Sequence, residues 1–359
     1  MAADGARRHR LLMLALLALP WLVVQALSQP VDSLPADTAI ALPSAISSSH
    51  PDQGQNARTY HVNDSTDLVF YRPRAFEYWP RAVQNLAAFP GAFFRREHLP
   101  MLGAVAVSTG VLWAADQQLC DGAQRLGNRW HISGTIDKTT TFIKIGNLPI
   151  FRGPTDLGSA MYFIGDGWVH MFITGGFYAY GLAAKDNRAL QTTSQLLQGL
   201  GVTGTVIQIL KRTTGREAPC RATAPRGVWR PFPNQGKFNK QMPKYDAYPS
   251  GHLATAMMTL TVISGNYPEK KYIKPLGYSL MAILSYQMLN NGVHWASDYP
   301  LGLAIGYTVG QISLSRGRKV VRKNREAGSR RDPDSIGWFQ VAPVLQDGAL
   351  GLVLQRRLW

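Results

Sequence analysis

The stretch YPSGHLATAM, from Tyr248 to Met257, puts a polar Ser-Gly-His triplet directly before an apolar run of helical character. Helix N-termini carry unpaired N–H groups and a partial positive charge, so they bind anions, phosphate above all. Ser250 and the N–H of Gly251 would add donors to such a site, and His252 could move a proton. The alternative interpretation makes Ser250 an N-cap and His252 an incidental residue of the first helical turn.

The chain around this triplet predicts a helical bundle. Apolar residues recur at spacings of three and four, in runs too long for strands. The predicted helices cover residues 101–119, 159–183 with a possible break near 165–167, 191–211, 252–264, 275–291 and 299–315. The fold class is therefore mainly α, with a C-terminal β-hairpin predicted around the turn Asp347-Gly348.

A second motif is NNGVHWASDYP, from Asn290 to Pro300. His294 and Asp298 are four residues apart, which on a helix would put the carboxylate one turn from the imidazole. A carboxylate on one ring nitrogen fixes the tautomer and leaves the other nitrogen free to attack.

A third motif, KRTTGREAP from Lys211 to Pro219, follows an outgoing helix. Antiparallel helices alternate in direction along the rest of the chain. The three motifs are therefore expected at the same end of the bundle, where composite sites are common.

This ordered set resembles the type-2 phosphatidic acid phosphatase and vanadium haloperoxidase superfamily, in which a histidine attacks phosphorus without a metal. The resemblance implies a bundle of the acid phosphatase/haloperoxidase type over residues 99–315. It implies His294 as the nucleophile, Asp298 as its orienting partner and His252 as the acid for the leaving oxygen. Lys211, Ser250 and the Gly251 N–H would bind phosphate. No cofactor and no metal are expected.

The sequence departs from the family pattern at two positions. Ala218 stands where the family has an arginine before the proline, and Gln287-Met288 stand where it has Ser-Arg before the nucleophile. Arg216 is the first candidate to replace the missing phosphate ligands. Arg221 is the second, and Asn290 or Asn291 could supply a neutral donor.

Composition and the N-terminus place the chain in the cell envelope. There are 38 Lys+Arg against 22 Asp+Glu, a net charge of +16, which suits anionic partners. Nucleic acid is not expected, because no zinc-finger or RNA-binding signature occurs. A basic segment and the apolar run from Leu11 to Val24 predict an export signal, with a retained anchor as the alternative. The predicted organisation is 1–28 signal peptide, 29–98 linker and N-terminal extension, 99–315 phosphatase-like bundle, 316–335 basic tail and 336–359 β-hairpin.

The predicted function is a phosphatase acting on phosphomonoesters or diphosphates, with a lipid phosphate preferred as the substrate and possible contact with a membrane surface. The alternatives are a soluble periplasmic acid phosphatase and a non-catalytic phosphate-binding or scaffold protein. A haloperoxidase ranks third, because the missing arginines weaken vanadate binding. The sequence leaves open whether the helices span a membrane, whether Cys120 and Cys220 pair, and the oligomeric state.

Overall fold

The computed structural model of the chain describes residues 57–135, 139–146, 148–323, 339–346 and 349–356. The predicted signal peptide and the linker before residue 57 lie outside these residues, as does most of the predicted basic tail. By contacts the chain divides into two units, Met1–Val321 and Arg322–Trp359.

The first unit is mainly helical, as the sequence predicted. Its helices are α1 (Tyr78–Phe93), α2 (Leu99–Arg129), α3 (Leu157–Phe163), α4 (Gly167–Ala183), α5 (Asn187–Thr214), α6 (Gln235–Lys240), α7 (Gly251–Asn266), α8 (Ile273–Asn290) and α9 (Tyr299–Leu314). The expected break near residue 165 separates α3 from α4. There the side chain of Asp166 caps the new helix by accepting the Trp168 N–H at 2.8 Å.

The strands form short antiparallel pairs. They are β1 (Ala57–Asn63), β2 (Thr66–Tyr71), β3 (Thr139–Ile145), β4 (Leu148–Pro154), β5 (Arg318–Arg322), β6 (Phe339–Gln346) and β7 (Ala349–Arg356). The first sheet has the order β1-β2-β5, and β3 pairs with β4. In the second unit β6 pairs antiparallel with β7, which is the predicted C-terminal hairpin.

The segment predicted as a linker and N-terminal extension is folded from residue 57 onward. Leu68 and Phe70 alternate with less buried residues along β2 and are themselves buried. Helix α1 packs against α5 and α9, and its buried Asn85 donates to Gln198 Oε1 at 3.0 Å. The bundle therefore begins before residue 99, and its first helix was missed by the sequence analysis.

Helices α7 and α9 cross at unusually close range in the centre of the bundle. Gly302, Gly306 and Gly310 recur every four residues on the face of α9 that meets α7. A Cβ at Gly306 would lie 2.1 Å from the carbonyl oxygen of Ala254, and one at Gly302 would lie 2.5 Å from that of Ser250. Only glycine allows the two backbones to approach this closely. This contact fixes the start of α7 against the start of α9.

One helix of the described chain, Arg96–Arg129, is long and apolar enough to cross a membrane by length and composition. Only 17% of its most apolar window is buried. Exposed large apolar side chains also occur on α4 and α8.

Candidate active site

The structure brings both histidines and the end of α5 together at one end of the bundle. His252 lies in the first turn of α7, and His294 follows the end of α8. Their ring centroids are 6.0 Å apart at an interplanar angle of 74°. A direct backbone bond ties the two motifs, because the Ser250 N–H donates to the Asp298 carbonyl at 2.9 Å.

The tautomer of His294 follows from its hydrogen bond. Its Nδ1 lies 2.6 Å from the carbonyl oxygen of Ala247, and its ring is buried. Because a carbonyl oxygen can only accept, Nδ1 must carry the proton. The lone pair of Nε2 is then free, as a nucleophile requires.

The relation between His294 and Asp298 differs from the helical spacing that the sequence suggested. His294 precedes the helix, and a 3₁₀ turn, Ala296–Asp298, returns the carboxylate toward the ring. Asp298 Oδ2 accepts the Trp295 N–H at 2.7 Å and lies 3.4 Å from His294 Nδ1. The Ala247 carbonyl oxygen is nearer to His294 Nδ1 than Asp298 Oδ2 is. The carbonyl thus orients the ring, while Asp298 supplies negative charge beside it.

Arg216, which the sequence suggested as a phosphate ligand, lies in a buried hydrogen-bond network. Its Nη1 donates to Asp298 Oδ1 at 2.6 Å and to Ser297 Oγ at 2.7 Å. Its Nη2 donates to Asp116 Oδ2 at 2.7 Å and to the Arg226 carbonyl at 3.0 Å. Both terminal nitrogens therefore donate hydrogen bonds to protein groups. These contacts favour a role for Arg216 in positioning Asp298.

Asp116 completes this network and was missed by the sequence analysis. It is fully buried on α2, where its Oδ1 accepts the Ser297 N–H at 2.9 Å and its Oδ2 accepts the Ser297 hydroxyl at 2.6 Å. The available signal was an acid directly after the largely apolar run of residues 101–115, because a buried carboxylate needs a charged or hydrogen-bonding partner.

Lys211 lies in the last turn of α5 and is buried. Its Nζ is 3.4 Å from Asp246 Oδ2. The chain leaves the helix at Gly215, whose φ is +58°, and a Cβ there would lie 1.8 Å from the Arg230 carbonyl oxygen. Glycine thus allows the turn that sends Lys211 toward the site and Arg216 into the network.

Ser250 is the N-cap of α7, as the alternative interpretation of the opening motif held. Its hydroxyl accepts the Leu253 N–H at 3.5 Å and lies 3.8 Å from the sulfur of Met288. Ser250 and Met288 are both fully buried. A thioether therefore covers the Ser250 hydroxyl at the position where the family has an arginine. Gly251 opens the helix, and the first N–H groups of a helix have no partner within it.

The two asparagines considered as neutral donors have structural contacts. Asn290 Nδ2 donates to the carbonyls of Ile132 and Ser133 at 3.3 and 3.2 Å. Asn291 Oδ1 accepts the Val293 N–H at 3.3 Å. These bonds shape the loop that carries His294.

The surroundings of His252 favour its neutral form. Burial first, and then the neighbouring His294 and Lys211, lower the pKa of His252 well below its ordinary value. The ring of Tyr162 lies against it, with centroids 4.6 Å apart. A bound phosphate dianion would oppose these effects and favour the protonated ring, since a nearby negative charge stabilises a cation.

Two arginines of the basic loop from Pro219 to Tyr248 contact other protein side chains. Arg230 pairs with the buried Glu217, and the guanidinium of Arg226 stacks on Trp113 at 4.2 Å. Arg221 is exposed at the end of a 3₁₀ turn whose Cys220 N–H donates to the Gly292 carbonyl at 2.9 Å. Arg221 therefore lies on the segment that borders the His294 loop.

Cys120 and Cys220 are both free thiols. Within the described residues, no group of three or more His, Cys, Asp and Glu side chains is placed to hold a metal ion.

Residues 193–321 match the PAP2 superfamily. The match runs from α5 to β5 and contains all three motifs, so the resemblance inferred from them is confirmed.

Two similar proteins give the wider context. The lipid A 1-phosphatase of Porphyromonas gingivalis is 34% identical over 68 residues, which are 19% of this chain and 15% of that protein. The alignment thus spans a small part of this relative. The crystal structure of Aquifex aeolicus LpxE is 20% identical, with a TM-score of 0.33, over 44% of this chain and 82% of that one.

Proposed function

We propose that this chain is a metal-independent phosphatase that hydrolyses a phosphomonoester or diphosphate, preferably of a lipid, through a phosphohistidine at His294. The observation that carries the proposal is the hydrogen bond from His294 Nδ1 to the Ala247 carbonyl, which in the neutral imidazole puts the lone pair on Nε2. The presence of His252 beside it adds a group that can protonate the leaving oxygen.

The reaction has two steps. In the first, His252 is protonated in the complex with the anionic substrate; His294 Nε2 forms a bond to phosphorus while the bond to the leaving oxygen breaks, and the proton of His252 goes to that oxygen. In the second, water attacks phosphorus, the N–P bond breaks, and neutral His252 takes the water proton. Inorganic phosphate leaves and both histidines return to their starting forms.

The site must also stabilise the negative charge of the phosphoryl group. Lys211 and the first N–H groups of α7 supply positive potential, and Arg221 replaces the missing family arginine at the rim. Arg216 acts indirectly: it pairs with Asp116 and Asp298, and Asp298 lies beside His294.

Exposed apolar surface supports a lipid substrate. Trp168, Met171 and Phe172 are 40–57% exposed on α4, and Val107 and Val111 are 62–68% exposed on α2. Extended apolar surface of this kind marks a membrane or protein contact more often than bulk solvent. Together with the predicted export signal, this surface supports a location of the protein at the membrane surface of the cell envelope.

The test is phosphate release by the purified full-length protein. A phosphatidic acid in detergent micelles and the soluble ester p-nitrophenyl phosphate are compared, each with and without a chelator. We expect turnover that survives chelation, favours the lipid and disappears in His294→Ala. The control His61→Ala removes an exposed imidazole far along the chain and should keep wild-type turnover. If the wild type releases phosphate from neither substrate, the proposal is wrong and a binding-only protein is favoured.

A further inference from the structure

A cavity of about 460 Å³ lies at the end of α9 that is opposite to the histidines. Its lining includes Arg74 and Phe76 before α1, Glu77 and Arg81 at the start of α1, and Arg316 after α9. Helix α9 rises by about 1.5 Å per residue, so its length puts about 22 Å between this cavity and the candidate active site.

Two arginines that line this cavity have buried N–H groups without acceptors in the described part of the chain. Arg81 Nη1 and Arg316 Nη2 are both inaccessible to solvent and have no hydrogen-bond partner in the described part of the chain. The side chain of Arg81 is only 14% exposed. Leaving a buried charged donor unpaired is unfavourable, and natural structures rarely do so without a ligand.

Among the residues that line the cavity, one carboxylate, Glu77, faces the two cations Arg81 and Arg316. Glu77 pairs with Arg81 through Nη2 at 2.5 Å, and it also accepts the Arg74 N–H at 3.0 Å. Arg316 has a neutral partner, Asn85 Oδ1, which accepts from Nε at 2.9 Å. Burial, followed by the positive charge of Arg81, lowers the pKa of Arg316, so the two guanidiniums affect each other directly.

The volume of the cavity indicates the size of the ligand. Its volume falls in the range of small-molecule sites and exceeds what a bare phosphate ion fills. At its rim Phe76 has a φ of +60° and is 76% exposed, and the neighbouring Trp79 is 70% exposed. A bulky residue in the left-handed region is strained, and exposed aromatic rings of this kind suit the interface of a membrane.

We propose that this cavity binds a phosphate oxyanion between Arg81 and Arg316, and that the oxyanion belongs to a phospholipid headgroup. Guanidinium groups match phosphate oxygens in geometry and in charge, and two of them can share one phosphate. The site is separate from the histidine centre and does not depend on the proposed phosphatase activity.

The experiment compares the full-length wild type with Arg316→Gln and Arg81→Gln, and with Arg72→Gln as the matched control. Arg72 is an exposed arginine on the same segment and does not line the cavity. One arm follows the melting temperature during titration with inorganic phosphate at constant ionic strength. The other arm measures co-sedimentation with phosphatidylcholine vesicles with and without phosphatidylglycerol.

We expect each cavity variant to lose about 30-fold in affinity for the phosphate group, the typical effect of removing one partner of a buried charged pair. A loss in the vesicle arm identifies a lipid headgroup, and a loss confined to the inorganic phosphate arm identifies the free ion. Hydrolysis of p-nitrophenyl phosphate by Arg316→Gln reports on the other site and should stay within about twofold of the wild type, given the separation along α9. If both cavity variants match Arg72→Gln in both arms, the proposal is overturned.

Discussion

Replacement of Arg216 by alanine should separate a positioning role from a phosphate-binding role. The change would leave Asp116 and Asp298, both fully buried, without their shared cation. Breaking a buried ion pair in this way typically lowers the free energy of unfolding by about 3–5 kcal/mol. We expect a loss in this range by denaturant unfolding.

The kinetic effect should fall on kcat. Arg216 holds Asp298, whose other oxygen is 3.4 Å from His294, so its loss would shift the nucleophile without removing a substrate contact. A displacement of about 1 Å in a catalytic group can lower the rate about 100-fold. A phosphate ligand would instead contribute to ground-state binding, and its removal would raise KM for an anionic substrate.

Three further variants control this experiment. Arg216→Lys keeps the charge but lacks the planar fork that contacts both carboxylates, so kcat should fall nearly as far as in Arg216→Ala. Arg125→Ala removes an exposed arginine from α2, the helix that carries Asp116, and should change stability by less than about 0.5 kcal/mol. Asp116→Asn added to Arg216→Ala removes one unpaired carboxylate and should restore part of the lost stability. A raised KM with unchanged kcat, or a stability loss below about 1 kcal/mol, would refute the reasoning.

Three other predictions concern separate parts of the molecule. His252→Ala should slow esters with poor leaving groups far more than p-nitrophenyl phosphate, because only the former need protonation; equal losses on both would remove the acid role. His170 is buried and uncharged, with its pKa lowered to about 4 by desolvation, so the unfolded chain binds more protons between pH 4 and 6.5. Its contribution to the free energy of unfolding should be complete above pH 6.5 and fall by up to about 3 kcal/mol as the pH drops to 4, and His170→Gln should flatten that dependence in denaturant titrations. Gly215→Ala should lower the free energy of unfolding by about 2 kcal/mol or more, because φ is left-handed and the new Cβ would meet the Arg230 carbonyl; a neutral effect would contradict the described turn.

The helices could be predicted from the sequence because the apolar spacing along each one is clear. Prediction from the sequence failed where tertiary contacts decide the structure. The strands β1 to β4 are short, and they are stabilised by packing on the bundle. Helix α1 is as long as α7, but it contains Pro90, a residue that usually marks the end of a helix. The close approach of α7 and α9 was readable from Gly302, Gly306 and Gly310, whose four-residue spacing is a visible signal that the sequence analysis did not use.

The candidate site was only partly predictable for the same reason. The motifs placed His252, His294, Asp298 and Lys211 at one end of the bundle, because helix direction alone determines that. The partner of Arg216 could not be found, since Asp116 is 100 residues away in sequence. The backbone carbonyl that fixes the His294 tautomer also has no sequence signature, because every residue carries one.

The measurement that tests the account most directly is trapping in an alkaline denaturing quench with a substrate labelled on its phosphoryl group. During turnover the full-length wild type should carry label that acid removes and alkali leaves in place, as expected for a phosphorus–nitrogen bond, and peptide mapping should locate it on His294. His294→Ala should carry none, while His252→Ala should accumulate it from p-nitrophenyl phosphate. Label on another residue, or rapid hydrolysis in the wild type without any labelled protein, would contradict the proposed nucleophile.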